Sequence, residues 1–236
     1  MPDLSSRQAA KLAGFGLLFM FIAGIFASGP QTSVYLDQIL GSPSKLSRYI
    51  IGNLMMLVFD TVAALGLYVL LKPVNKSVSL LSSWFRLLHV AVYGASTFFL
   101  LYALEEINLS KSIEGSLSPE QIGLIKSYLK GNEYGFQIGT FFFGFHFIAL
   151  GYLILISRFI PRWIGISLLI VSTGYLANSM LSFLHPDYDH FKTTFQIAVF
   201  LPAMVAEFLL CIWLLFKNDK VPELLNSQNE LFHLNY

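Results

Sequence analysis

The chain has 236 residues, of which 55% are hydrophobic and only 12% charged, and its formal net charge is +1. Soluble domains carry about a quarter charged residues, so this composition indicates a protein whose main partner is the lipid bilayer. The near-neutral charge excludes a general electrostatic attraction to nucleic acid, and we predict no nucleic-acid partner.

Six apolar runs are long enough to cross a bilayer, which requires about 20 residues of helix. The first run follows two basic residues, as the apolar part of a signal peptide does, but its "IFASGP" end is a poor cleavage site and we expect it to be retained. The sequence therefore predicts an all-α polytopic membrane protein, a bundle of six transmembrane helices. The runs are approximately Lys11–Ser28, Tyr49–Leu71, Val78–Leu104, Tyr134–Ser157, Trp163–Leu184 and Thr194–Phe216.

Basic residues favour one orientation in the membrane. With the N-terminus inside, eight Lys and Arg residues lie in the short inner segments and six in the longer outer ones. Positive charge accumulates on the cytoplasmic side, and an even number of spans returns the chain to its starting side. We therefore predict a multi-pass protein of the cell membrane with both termini in the cytoplasm. Residues 1–216 form one domain, and residues 217–236 form a polar tail.

The longest outer connection, Glu105–Glu133, contains "SPEQIGLIKSYLKG". Ser118 and Gln121 have the spacing of a capping box, and Pro119 suits the first helical position. Gly131 can end such a helix. The pattern predicts a short amphipathic outer helix before helix four, and a connector is favoured over a lid.

Several of the predicted spans carry polar or ionisable residues, most of them at about the same depth. Arg86, His89 and Tyr93 share one face of the third span because they are three and four residues apart. The full set is Asp60, Arg86, His89, Tyr93, His146, Asn178 and Glu207.

A charge at the bilayer centre costs about 2.5–3.5 kcal/mol, so these residues must face inward and pair. Arg86 is permanently charged, and its obvious partners are Asp60 and Glu207. One cation against two acids leaves excess negative charge. Either His89 carries a proton or one acid is neutral, and we expect Glu207 to be neutral because nothing on its own helix can pair with it.

Metal and haem sites are weaker interpretations, and we predict no cofactor. The loop "HPDYDHF" places His185, Asp187, Asp189 and His190 close together, but their spacing matches no zinc template. His89 and His146 could be the axial ligands of a b-type haem. A histidine within the aromatic run "FFFGFHF" is more often a hydrogen-bonded packing residue.

Three short elements carry a resemblance to a known family. They are "FR" at positions 85–86, the "PRW.G" pattern of Pro161–Gly165, and Glu207 in the last span. They resemble small bacterial membrane proteins catalogued as domain of unknown function 4386, with similar hydropathy from about Arg7 to Phe216. The resemblance implies a six-pass helical bundle of bacterial origin and unknown role. That family commonly has an acid where His89 stands here.

Four functions are compatible with the polar set. The first is a binding, sensing or transport module for a proton, a lipid headgroup or another small polar ligand. The second is an intramembrane enzyme that acts on lipid, with a metal or an acid/base pair. The third is a b-type haem protein, and the fourth a structural or accessory subunit. The sequence decides neither enzymatic activity nor oligomeric state.

Overall fold

The computed structural model describes residues 4–27, 39–40, 42–113, 118–185 and 187–222. Within these ranges, the chain forms six long α-helices, each with a stretch long and apolar enough to cross a membrane, and this confirms the predicted all-α fold with six spans. The helices are α1 (Ser6–Phe26), α2 (Pro43–Leu71), α3 (Lys76–Ile113), α4 (Pro119–Ser157), α5 (Arg162–Leu184) and α6 (Tyr188–Phe216). A 3-10 turn (Asn218–Lys220) follows α6.

Consecutive helices run in opposite directions and form a closed ring. Each helix packs against its neighbours in the chain, and α6 also packs against α1. We call the end of the ring that holds the start of α1 and the end of α6 the terminal face, and the opposite end the loop face. The orientation of the two faces relative to the cytoplasm stays a prediction, and residues 223–236 of the predicted tail lie outside the described part.

The start of α4 has the predicted cap. The Ser118 hydroxyl accepts a hydrogen bond from the Gln121 backbone, and the Gln121 side chain accepts one from the Ser118 backbone. The predicted outer helix is not a separate element, however, because the helix continues through Gly131 to Ser157. Gly131 has no side chain, and this leaves room for the Phe99 ring of α3. A Cβ added to Gly131 would lie only 3.0 Å from that ring. This packing on α3 favours helix continuation.

The apolar face of this N-terminal part of α4 packs against protein and not on the bilayer surface. Ile125 and Leu129 are fully buried in a cluster with Leu100 and Ile107 of α3. Helix α3 has 38 residues and α4 has 39. At 1.5 Å per residue each is about 57 Å long, nearly twice the about 30 Å hydrocarbon thickness of a bilayer. Each of the two helices is therefore longer than one membrane crossing needs, and the two stay packed together along the extra length.

Helices α1 and α2 approach closely because small residues face each other. A Cβ added at Gly16 would lie 2.6 Å from the backbone nitrogen of Ala63, and one added at Gly66 would collide with the backbone of Ala13. Small residues allow this kind of backbone approach in membranes, where packing replaces the hydrophobic effect as the force between helices. The close contact holds α2, and with it Asp60, against α1.

Replacing Gly16 with Ala is expected to destabilise the bundle, because the new methyl group meets backbone atoms that cannot rotate away. Overpacking of this kind costs about 1–3 kcal/mol. The midpoint of thermal unfolding in detergent measures the loss. Gly123→Ala is the matched control, because an added Cβ there has nothing within 4 Å. A Gly16→Ala protein as stable as the control would contradict the close α1–α2 contact.

Candidate functional site

Arg86 lies at the centre of the ring and is fully buried. Its Nε donates a hydrogen bond to Asp60 Oδ1 at 2.8 Å, and its Nη2 forms an ion pair with the same oxygen at 2.5 Å. Its Nη1 donates to Glu207 Oε1 at 3.1 Å. Asp60 and Glu207 are themselves 3% and 6% exposed. Arg86 thus contacts both carboxylates that the sequence suggested as its partners, one on α2 and one on α6.

His146 of α4 is the third polar neighbour of Arg86. Its Nε2 lies 2.9 Å from Arg86 Nη1, and its Nδ1 lies 2.9 Å from the Ser82 carbonyl oxygen. A guanidinium can only donate and a carbonyl oxygen can only accept, so Nε2 carries the lone pair and Nδ1 carries the hydrogen. The geometry therefore describes a neutral imidazole that links α3 to α4. This agrees with the interpretation of His146 as a hydrogen-bonded packing residue.

The remaining directions around Arg86 are also occupied. Nη2 lies 3.6 Å from the Met20 sulfur of α1, and the guanidinium carbon lies 5.1 Å from the centre of the Phe143 ring. A guanidinium has five N–H groups, and each of those of Arg86 has an acceptor within reach. An anionic ligand could reach Arg86 only by displacing one of these groups. We call Asp60, Arg86, His146 and Glu207 the charge cluster.

His89 and Tyr93 lie on the loop-face side of the charge cluster. The His89 ring packs 4.7 Å from the ring of Phe143, and its buried Nδ1 has no hydrogen-bond partner among the described residues. The Tyr93 hydroxyl forms a 2.8 Å hydrogen bond with the hydroxyl of Tyr49 on α2. Both side chains are buried, as their place on the face of Arg86 predicted.

Asn178 belongs to a separate polar group, and this corrects its assignment to the same set. Its Nδ2 donates to Gln137 Oε1 at 3.0 Å, and its Oδ1 accepts from the Tyr188 hydroxyl at 2.8 Å. A pocket of about 270 Å³ opens beside Gln137 and Tyr188 toward the loop face. The position of Asn178 along α5 did not predict its partner, because the rotation of α5 about its axis directs the side chain toward Gln137.

Ser82 and Met20 are members of the site that sequence reasoning missed. Ser82 precedes Arg86 by four residues, so helical spacing placed it on the same face. Nothing in the sequence marked Met20, which is one apolar residue among many in the first span. Its contact with Arg86 follows from how α1 packs in the ring.

The structure constrains the metal and haem interpretations. No group of three or more His, Cys, Asp or Glu side chains in the described residues is arranged to hold a metal ion. The side chain of Asp189, which belongs to the predicted loop site, is not among the described side chains, so this finding covers the loop site only in part. An iron bound at His146 would have to displace Arg86 from Nε2 or the Ser82 carbonyl from Nδ1. A haem bound at His146 would therefore need rearrangement of the charge cluster, and both cofactors stay hypotheses.

Residues 12–218 match a family model described as a domain of unknown function, DUF4386. The chain belongs to the DUF4386 family. An uncharacterized protein from the archaeon Archaeoglobus fulgidus is 26% identical over 178 residues, which are 75% of this chain and 88% of that protein. No solved structure matches the chain. The bacterial origin implied by the resemblance stays a prediction, and the DUF4386 description carries no activity, so function must be argued from the charge cluster.

Proposed function

We propose that the protein is a proton-binding module within the membrane, serving sensing or transport, and that Glu207 takes up and releases the proton. The observation that supports this is the charge balance of the cluster. One buried guanidinium faces two buried carboxylates, and the neutral imidazole of His146 adds no positive charge. Isolated buried charge is costly, and a bound proton removes the excess.

A proton fits the cluster better than a larger ligand does. Arg86 is fully buried and its N–H groups are occupied, so a lipid headgroup or an anionic solute would have to displace Asp60 or Glu207. The excess charge of the cluster is negative and therefore attracts a cation. A proton is the one cation that binds a carboxylate without needing a cavity or a set of oxygen ligands.

Glu207 is the better proton acceptor of the two acids. Asp60 receives two contacts from Arg86, at 2.5 and 2.8 Å, whereas Glu207 receives one at 3.1 Å from a nitrogen that also contacts His146. The weaker contact stabilises the ionised form of Glu207 less. The charged or titratable groups around Glu207 are Asp60 on α2, Arg86 on α3, His146 on α4, Tyr175 on α5 and Cys211 one turn later on α6, while α1 contributes Met20 to the cluster.

Proton uptake at Glu207 has a structural consequence through α6. A protonated carboxyl is held less strongly by Arg86 than a carboxylate. Five residues before Glu207, Pro202 lies inside α6. Proline lacks the N–H that would bond the carbonyl one turn back, so the helix bends there more easily. In our proposal, protonation loosens the tie between α6 and α3, and α6 pivots at Pro202.

Infrared difference spectroscopy of the purified protein tests the proton directly. Near neutral pH we expect the carbonyl stretching band of one protonated carboxylic acid, which disappears when the pH is raised and is missing in Glu207→Gln. Glu120→Gln is the control and should keep the band, because Glu120 is exposed at the start of α4. If no such band exists, or if it survives in Glu207→Gln, the charge cluster only holds the helices together and the proposal is wrong.

The cell-membrane location and the cytoplasmic termini belong to this proposal. Six spans place both termini on one face, and the distribution of basic residues favours the cytoplasm for that face. A C-terminal alkaline phosphatase fusion should be inactive and a C-terminal fluorescent protein fusion should be bright in cells. The reverse pattern would assign the terminal face to the outside.

A further inference from the structure

Polar side chains continue from the charge cluster toward the loop face. On α2 and α3, Tyr49 and Tyr93 join through their hydroxyls, and Asn53 Nδ2 donates to Thr97 Oγ1 at 3.2 Å. His89 lies between these pairs and Arg86, and its Nδ1 would be 3.0 Å from a Cβ at Gly139 of α4. We call Asn53, Tyr93, His89 and Asp60 the polar file. It runs through the interior of the ring, where α2, α3 and α4 meet.

Three atoms of the polar file are buried without a hydrogen-bond partner. They are Asn53 Oδ1, Asp60 Oδ2 and His89 Nδ1, and their side chains are 0%, 3% and 8% exposed. Leaving such a group unsatisfied costs about 1–3 kcal/mol, and buried water is the usual remedy in folded proteins. One more such atom occurs in the described residues, Ser6 Oγ, and it lies apart from the file at the terminal face.

On the terminal-face side of the charge cluster, the polar side chains of α3 have hydrogen-bond partners. The three serine hydroxyls of α3 beside or below the cluster are bonded within the protein: Ser79 donates to the Tyr68 carbonyl, Ser83 to the Ala64 carbonyl, and Ser82 pairs with His146. A polar group that is already satisfied offers little to a water molecule. Apart from Asp60 Oδ2, which belongs to the cluster itself, the unsatisfied atoms near the cluster among the described residues lie toward the loop face.

We propose that water molecules occupy the polar file and carry protons between the charge cluster and the loop face. This inference rests on the proposed function and names the route by which its proton arrives. A water molecule at the Asp60 end of the file takes the proton as the O–H bond of the Glu207 carboxyl breaks and an O–H bond of the water forms, and the reverse step returns it. The terminal face exchanges no protons with the cluster by this route.

Leu57 is the constriction of the file. It lies four residues after Asn53 and three before Asp60, so it separates the two polar levels on the same face of α2. It is 6% exposed, and its Cδ1 would be 3.5 Å from a Cβ at Gly94. Leu67 is its matched control, since it is on the same helix, is 3% exposed and lies on the terminal-face side of Asp60.

Radiolytic hydroxyl-radical footprinting of the wild-type protein tests for the water, because radicals formed from bound water modify the side chains beside it. We expect Leu57 to be modified several-fold faster than Leu67, although both are buried. Equal protection of the two leucines would overturn the proposal whatever the protonation state of Glu207. This measurement therefore judges the file separately from the proposed function.

Hydrogen–deuterium exchange of the Glu207 carboxyl, followed by the shift of its infrared band, tests the route. Leu57→Ala should speed this exchange several-fold, because it removes the constriction, and Leu67→Ala should leave it unchanged. Faster exchange in Leu67→Ala alone would mean that protons arrive from the terminal face, and the proposal would fall. If footprinting finds the water but no protonated carboxyl exists, the file stands as a water site and the proposed function fails.

Discussion

Replacing Arg86 with Met is expected to leave little folded protein. The change removes the charge that both Asp60 and Glu207 face. Removing one partner of a buried ion pair costs about 3–5 kcal/mol, a large part of the about 5–15 kcal/mol by which domains are stable. Yield and thermal unfolding midpoint in detergent measure the loss. Arg48→Met is the control, because Arg48 is exposed near the loop face.

The loss should be largely reversed when the two acids are neutralised as well. In the triple variant Arg86→Met, Asp60→Asn, Glu207→Gln, no buried carboxylate lacks its cation, and neutral replacements of buried ion pairs are often tolerated. We expect the triple variant to unfold at a clearly higher temperature than Arg86→Met alone. If Arg86→Met is as stable as Arg48→Met, or if the triple variant is no better than the single one, the electrostatic account of the charge cluster is wrong.

Asp60→Asn is expected to be more damaging than Glu207→Gln, although both remove one negative charge from the same guanidinium. Asp60 Oδ1 receives two contacts from Arg86, and Glu207 receives one. In our proposal Glu207 already carries the proton near neutral pH, so its amide is close to isosteric with the native state. We expect a loss of about 1.5–3 kcal/mol for Asp60→Asn, as for a hydrogen bond to a charged group, because Glu207 can still balance Arg86 once it ionises. We expect a loss of about 1 kcal/mol for Glu207→Gln, as for one neutral hydrogen bond.

The infrared band gives this comparison a second readout. In Asp60→Asn, Glu207 becomes the only carboxylate beside Arg86 and must be ionised to balance it, so the protonated band should vanish although Glu207 is still present. Thermal unfolding in detergent, measured at several pH values from low to high, compares the stabilities of the two variants. Equal losses in the two variants, with the band unchanged in Asp60→Asn, would place the proton elsewhere.

The sequence by itself determined the number of spans, the cap of α4 and the two carboxylates that Arg86 must meet. Each of these depends on a property of one helix or one residue. A run of about 20 apolar residues crosses a bilayer whatever its neighbours are, and a permanent cation in the membrane needs an anion. Few acids lie near mid-membrane, so the choice of Asp60 and Glu207 was nearly forced.

Only the tertiary structure decided how the helices rotate and how closely they approach. Both histidine rings contact Phe143, but only His146 forms a hydrogen bond with Arg86, which their similar depth did not predict. Asn178 turns toward Gln137, and α4 continues past Gly131 because Phe99 fills the space beside it. These outcomes depend on side chains from several helices packing at once. The periodic pattern along one helix predicts the direction of its apolar face to within about a quarter turn. That precision is too low to predict which of two neighbouring helices a residue on this face contacts.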